Sequence, residues 1–368
     1  MIGVKVVLMP EAEQTSSAAI PKQALISEHL RKQIIEGRFP PGGRLPTQMQ
    51  LVDQFGVSGV TIQRALDRLM REGFICTRGR NGTFVANHPP HLYSYAVVFR
   101  DEPKVGRSRY HQMLEGQALR LQRSGDRKVT IFNRITGHDD TEPSRQLLAM
   151  VRSHQMAGLV LIDGDTFRDT PLLDESGIYR CAIMSRKVDA LGCPIVFPDM
   201  TGMIDVALDT LVQRGRRRVA TLVTLGVFTE VGDYLRHAMQ NRGITTHDRW
   251  MQIVPHDVPE AVRNNVLMLM SGQDRPDGLF IVDDNLAEGA SSGLVMAGVH
   301  VPRDLEVVAH CNFPWLAPSV LPMQRVGFDT RQIMETAVNV IDIQRQGHRA
   351  PKVTRIGPVL EGATKLVP

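Results

Sequence analysis

Residues 57–85 read VSGVTIQRALDRLMREGFICTRGRNGTFV. Ser58 is placed to cap a helix in which Ile62, Ala65, Leu66, Leu69 and Met70 recur at helical spacing and form a buried face. Thr61, Gln63, Arg64 and Arg68 fall on the opposite face. After Gly73, the segments Phe74–Thr77 and Thr83–Val85 have the apolar and β-branched content of two short strands. Arg78, Gly79, Arg80, Asn81 and Gly82 form the turn between them. A helix that displays its first turn beside a thin ribbon is the layout of a winged helix-turn-helix, a shape that reads DNA.

The residues upstream complete that layout. From Ala24 to Gly37, Leu25, Ile26, Leu30, Ile34 and Ile35 mark one buried face of a first helix. Phe39-Pro40-Pro41-Gly42-Gly43 is a turn-rich bridge. Thr47 can cap a second helix with Leu51, Val52 and Phe55 inward, and Gly56 ends it. Only the first half of the third helix can then enter a major groove, so residues 58–64 are the ones that reach base edges. Gln63 suits adenine, Arg64 suits guanine or a phosphate, and Thr61 suits either. Arg78 and Arg80 on the ribbon suit phosphates or a neighbouring minor groove.

Charge agrees with this. Between Ile20 and Asn87 stand ten basic residues (Lys22, Arg31, Lys32, Arg38, Arg44, Arg64, Arg68, Arg71, Arg78, Arg80) and five acidic ones (Glu28, Glu36, Asp53, Asp67, Glu72). The whole chain carries +4, so this segment accounts for the excess. A basic module beside a charge-balanced remainder is what phosphate binding requires.

A chain of 368 residues suits two or three domains. We expect a disordered lead-in at 1–19, with Met9 an alternative start to Met1. A DNA-binding domain at 20–87 and a linker at 88–93 around Asn87-His88-Pro89-Pro90-His91 follow, and then a larger domain at 94–368. With 42% hydrophobic and 22% charged residues, composition is that of a globular protein, and no apolar run is long enough to span a bilayer. Cys76, Cys181, Cys193 and Cys311 lie far apart, which argues against structural zinc and a disulfide framework and fits a reducing cytoplasm. The sequence has no GxSxG, Walker A or HExxH motif, and its histidines are scattered, so neither catalysis, a metal nor a cofactor is expected.

Beyond the linker, strands and helices alternate. Strands are expected at 95–99, 129–132, 158–162, 181–184, 194–197, 219–223, 251–254, 278–282 and 306–309. Helices are expected at 110–123, 144–154, 202–214, 233–242, 259–270 and 287–297. The rhythm predicts an α/β class with parallel sheets covered by helices on both faces, and ligands beyond the carboxyl ends of the strands. Polar residues at those ends are the ligand candidates: Arg100, Asp101, Arg186, Asp283, Asp284 and Asn312. Trp315, with Phe228 and Phe313, could stack on an apolar sugar face.

The strings IIEGRFPPGGRLPT (34–47), FGVSGVTIQRALDRLMREGFI (55–75) and GRNGTFV (79–85) resemble the GntR family of bacterial regulators. The resemblance implies DNA contacts from Arg44, Thr47, Gln48, Ser58, Gly59, Thr61, Gln63, Arg64, Arg78, Arg80, Asn81 and Gly82. The chain departs from that pattern at Thr47-Gln48-Met49, Gly59 and Gln63, where the family is more basic. From Tyr95 onward, DDNLAEGA (283–290) and GVHVPRDLEVV (298–308) resemble the effector domain of lactose-repressor-type regulators, which shares its fold with periplasmic sugar-binding proteins. That implies two lobes, about 102–183 and 197–321, with a ligand between them. Val231, Tyr234 and Cys311 replace polar residues common in the family. Together these readings predict a cytoplasmic, homodimeric regulator, a repressor on a palindromic operator in double-stranded DNA, controlled by a small molecule of carbohydrate type. The alternative is a cytosolic sugar-binding or scaffolding protein whose N-terminal module pairs with protein.

Overall fold

The computed structural model describes residues 21–100, 108–123, 127–138, 140–184 and 191–362. The expected lead-in at 1–19 lies outside them. The chain divides into two compact units at Pro89/Pro90.

The first unit is built on three helices, α1 (Lys22–Ile35), α2 (Gln48–Phe55) and α3 (Gly59–Arg71), and a ribbon of β1 (Ile75–Thr77) and β2 (Thr83–Val85). Local side-chain and glycine caps set the ends of α2 and the start of α3. Thr47 and Gln50 form a reciprocal capping box on α2, and Gly56 closes that helix at φ +62°, a left-handed backbone that suits glycine. The Ser58 side chain accepts the Thr61 N–H and caps α3. Ile26, Leu30, Ile34, Leu51, Ile62, Ala65, Leu66, Leu69 and Phe74 pack into one core. Leu25, expected inward, is 53% exposed, because the buried stripe of α1 runs through Ile26, Leu30 and Ile34. The proline-glycine bridge does more than turn: Gly42 and Leu45 donate backbone N–H groups to the Val85 and Thr83 carbonyls, and Val85 donates to the Gly43 carbonyl, along the free edge of β2.

Part of the expected linker is helical, as α4 (Pro90–Tyr93). The second unit then winds through β3 (Ser94–Val98), α5 (Arg109–Arg123), β4 (Lys128–Phe132), α6 (Glu142–Arg152), β5 (Gly158–Ile162), α7 (Pro171–Asp174), β6 (Tyr179–Ile183) and β7 (Ile195–Pro198). It continues with α8 (Met200–Gln213), β8 (Val219–Val223), α9 (Leu225–Asn241), β9 (Met251–Ile253), α10 (Pro259–Ser271), β10 (Gly278–Ile281) and α11 (Ala287–Met296). The last elements are β11 (Glu306–Phe313), β12 (Gln324–Asp329), α12 (Thr330–Arg345), β13 (Val353–Ile356) and β14 (Val359–Leu360).

Two six-stranded sheets result, in the orders β13-β7-β6-β5-β3-β4 and β14-β12-β11-β10-β8-β9. All pairings within them are parallel except β12 with β14. Each sheet defines a lobe. The chain crosses from the first to the second after β7, returns after β12, and crosses again between β13 and β14. The expected lobe boundaries missed the two later crossings, since the predicted elements stopped at residue 309. α11 lies against α10 because Gly289 and Gly293 face it: a Cβ on Gly293 would stand 2.8 Å from the Arg263 carbonyl oxygen.

Candidate functional site

The first turn of α3 stands in solvent. Ser58, Gln63 and Arg64 are exposed, and Thr61 is half-buried. Ser58 Oγ lies 2.9 Å from Thr61 Oγ1, and Gln48 Nε2 donates to the Gly59 carbonyl at 2.9 Å, so α2 steadies the start of α3. Gln63 Nε2 donates to Asp67 Oδ1 at 2.7 Å, which leaves its carbonyl oxygen directed elsewhere. Arg64 has no ion pair or hydrogen bond among the described residues. On the ribbon, the Arg78 guanidinium sits 4.7 Å from the Phe84 ring centroid and donates to Asn87 Oδ1 at 3.2 Å. Arg80 and Asn81 project from its tip, and the Arg44 guanidinium lies beside Gly82. Thr47 spends its hydroxyl on the α2 cap. Among the described residues Arg44, Arg64 and Arg80 are cations with no ion pair, and such cations suit phosphates.

One arginine belongs elsewhere. Arg31 was counted with the phosphate-facing charges, but it is 1% exposed, bound to Glu28 and Glu72, with its guanidinium 5.5 Å from the Phe74 ring centroid. It joins α1 to the end of α3 and adds nothing to the outer field. Arg68 is likewise paired, with Glu72 at 2.9 Å.

In the second unit, residues at the carboxyl ends of strands from both lobes line a cavity of ≈ 160 Å³. Its wall is largely apolar, with Met184, Pro198, Met200, Val227, Val282 and Phe328, and carries a few polar groups. Asp284 is 2% exposed and accepts from Asn312 Nδ2 at 2.9 Å, with Arg109 Nε 3.5 Å away. Burial raises its carboxyl above the ordinary aspartate value, although His310, Asn312 and Arg109 oppose this. Asp283 is fully engaged, accepting Asn285 at one oxygen and Thr224 Oγ1 at the other. His111 donates Nε2–H to Asp163 at 2.6 Å and accepts from the Ser108 hydroxyl at 2.6 Å when neutral. That Ser108 oxygen also takes the backbone N–H of His111, as a cap of α5.

Among the described residues, three polar atoms on this wall are buried without a hydrogen-bond partner: Tyr110 Oη, His310 Nε2 and Asn312 Oδ1. Burial, and the Asp163 carboxylate, push the Tyr110 hydroxyl well above its usual range, so it stays a donor. Unpaired polar atoms in a largely apolar cavity are costly unless a ligand or water satisfies them.

Of the sequence-predicted ligand residues, Asp283, Asp284 and Asn312 border this cavity. Arg100 does not border it; its guanidinium binds the Thr166 carbonyl. Trp315 does not border it either. Its ring packs on α5 at Gly116, and it is 46% exposed. Phe313 is buried, and Phe228 is stacked by Arg236 at 5.0 Å. Asp101 and Arg186 lie outside the described residues. Tyr110, His111, Asp163 and His310 were not foreseen. The first two sit in the opening turn of α5. His310 was hidden because the strand expected to end at residue 309 runs on to Phe313.

Residues 22–85 match the family of bacterial regulatory proteins named gntR, and residues 208–364 match the periplasmic binding protein-like domain. Over 85 residues the chain is 36% identical to the HTH-type transcriptional regulator Rv1152 of Mycobacterium tuberculosis, a match covering 22% of this chain and 70% of that protein. The chain belongs to the gntR family of bacterial regulatory proteins. It is a DNA-binding transcriptional regulator. It is 39% identical over 87 residues to the regulator Rv0792c of the same organism, of which it spans 32% while using 24% of its own length. Against the arabinose metabolism transcriptional repressor of Geobacillus stearothermophilus it is 21% identical over 360 residues, 93% of this chain and 95% of that one. A solved regulatory protein of the LacI family from Chloroflexus aggregans shares the fold at TM-score 0.58, with 18% identity over 72% of this chain and 96% of that one.

The regulator departs from the resemblance at positions whose roles the structure makes clear. Val231 is buried in the core, and Tyr234 Oη donates to Asp205 at 2.6 Å, away from the cavity. Burial pushes the Cys311 thiol up to about 12, so it stays neutral. Among the described residues no helix is long and apolar enough to cross a membrane.

Proposed function

We propose that this regulator is a homodimeric, cytoplasmic repressor whose second unit, 94–368, takes a neutral, hydroxyl-rich molecule of monosaccharide size. Residues 58–64 and the ribbon of the 20–87 reader contact a palindromic operator, and two copies meet its two half-sites. Tyr110, Asp284, His310 and Asn312 hold the ligand. The observation that carries this reading is the set of three polar atoms, without a partner among the described residues, that line one largely apolar cavity. A hydroxyl both donates and accepts, so a polyol can satisfy a phenol, an amide oxygen and an imidazole together. The cavity is smaller than the ~300–1,000 Å³ typical of drug-sized ligands, which favours a single ring. The arabinose-metabolism repressor it resembles along most of its length supports a sugar. Ligand binding changes DNA affinity only as far as it favours one arrangement of the lobes.

A thermal-shift panel of neutral pentoses and hexoses tests the reading. A sugar at a hundredfold excess over its Kd stabilises the folded chain by ~2.7 kcal/mol. We expect a saturable rise in melting temperature with at least one of them, abolished in Asp284→Ala. A flat panel, or a response that survives Asp284→Ala, would remove the cavity from the account.

A further inference from the structure

A second pocket lies in the groove between α5 and α12 and holds ≈ 330 Å³. Three guanidinium groups border it: Arg120 from α5, Arg127 just before β4, and Arg331 at the start of α12. Arg127 is fixed by Asp342, with Nη2 to Oδ2 at 2.7 Å, and lies over the Tyr95 ring at 5.8 Å. Arg331 Nε stands 3.8 Å from Asp329 Oδ1. Arg120 is exposed and has no ion pair or hydrogen bond among the described residues. Among the described residues Glu335 is the one carboxylate on the lining, against three guanidiniums. The floor carries a second sign of a missing occupant. Gln117 is 3% exposed, lines the pocket, and its Oε1 has no hydrogen-bond partner among the described residues.

A cationic rim needs an anion. A buried amide oxygen needs a donor, which a bare anion cannot supply. A phosphorylated hydroxy compound supplies both. We propose that the α5–α12 groove is a second effector site, which binds a small sugar phosphate through Arg120 and its neighbouring guanidiniums while a ligand hydroxyl donates to Gln117. The volume is at the lower end of small-molecule pockets and holds such a ligand. Its placement gives it leverage. α12 carries the chain from β12 of one sheet onto the helices and strands of the other, so a ligand bridging α5 and α12 bears on the crossover between lobes. Glu335 sets a limit, since it repels an anion placed against it.

Calorimetric titration of the full-length protein with ribose 5-phosphate, inorganic phosphate, sulfate and ribose tests the proposal. Ribose 5-phosphate should bind saturably and more tightly than phosphate. Arg120→Glu, a surface change with no partner to lose, should weaken it by about tenfold or more. Tyr110→Phe, which alters the interlobe cavity, should leave it unchanged. Absent binding, or equal affinity in Arg120→Glu, overturns the assignment. Affinity for sulfate, which carries no donor, equal to that for ribose 5-phosphate overturns the role of Gln117. Loss of binding in Tyr110→Phe while Arg120→Glu is unaffected moves the ligand into the cavity, which overturns the second site and supports the first.

Discussion

The α3 surface and the interlobe cavity solve opposite problems with similar residues. On α3 the functional groups stand in water, and the local caps of Ser58 and Thr47 hold the backbone beneath them. In the cavity the groups are buried, and three polar atoms lack partners among the described residues. Solvent satisfies an exposed Arg64 at little cost, whereas a buried Tyr110 hydroxyl is unsatisfied until something binds. Changes on α3 should therefore alter affinity without altering stability, and changes in the cavity should alter both.

The largest expected effect is an exception that sharpens the contrast. Arg31 is the buried arginine of the reader, and Arg31→Ala should destabilise that unit by about 3 kcal/mol, the lower end for a broken buried pair because Glu28 reaches solvent. Urea unfolding followed by a probe in the first unit measures it. Next, Arg64→Ala should cost ~1–3 kcal/mol of operator affinity if it reads a base, with an unchanged melting temperature. A fall in both would erase the distinction. In the cavity, Tyr110→Phe should stabilise the ligand-free protein by about 1 kcal/mol, since it removes an unpaired hydroxyl, while weakening the sugar response. A destabilised variant would show that the hydroxyl already has a partner.

The smallest effect is one of pH. Burial raises the folded-state pKa of Asp284 above 3.8. Stability from this group is thus full below the ordinary aspartate value and falls as pH rises through the raised one. Asp284→Asn stays neutral and escapes that fall. It should gain on the parent chain toward neutral pH, with the difference closing in acid. Melting temperatures across that range check the sign.

The two regions also differed in how much could be read from sequence. The reader was legible because its parts are contiguous: caps, buried stripe and ribbon lie within 57–85, and each is a local signal. The cavity draws on Tyr110, Asp163, Asp284 and Asn312, which only the folded sheets bring together. Asp284 was foreseen because it follows a strong strand, and Asn312 because it comes just after the expected strand end at residue 309, although it lies inside β11. Tyr110 and His111 were not, since the opening of an amphipathic helix gives no sign of which way it faces. Trp315 misled because an exposed aromatic near a strand end fits a stacking platform as well as it fits a contact with Gly116. Arg31 misled because charge alone does not reveal burial. The β12–α12 crossing was missed where the β-α rhythm was not followed past residue 309.

The central claim is that the first turn of α3 and its ribbon grip DNA through unpaired cations. Titration of the full chain onto a duplex from its own control region, repeated across a range of salt, tests it most directly. Affinity should fall with log salt at a slope of about −0.9 per neutralised phosphate, and Arg80→Ala should reduce that slope by about one. Binding indifferent to salt, or a slope that Arg80→Ala leaves untouched, would contradict the account.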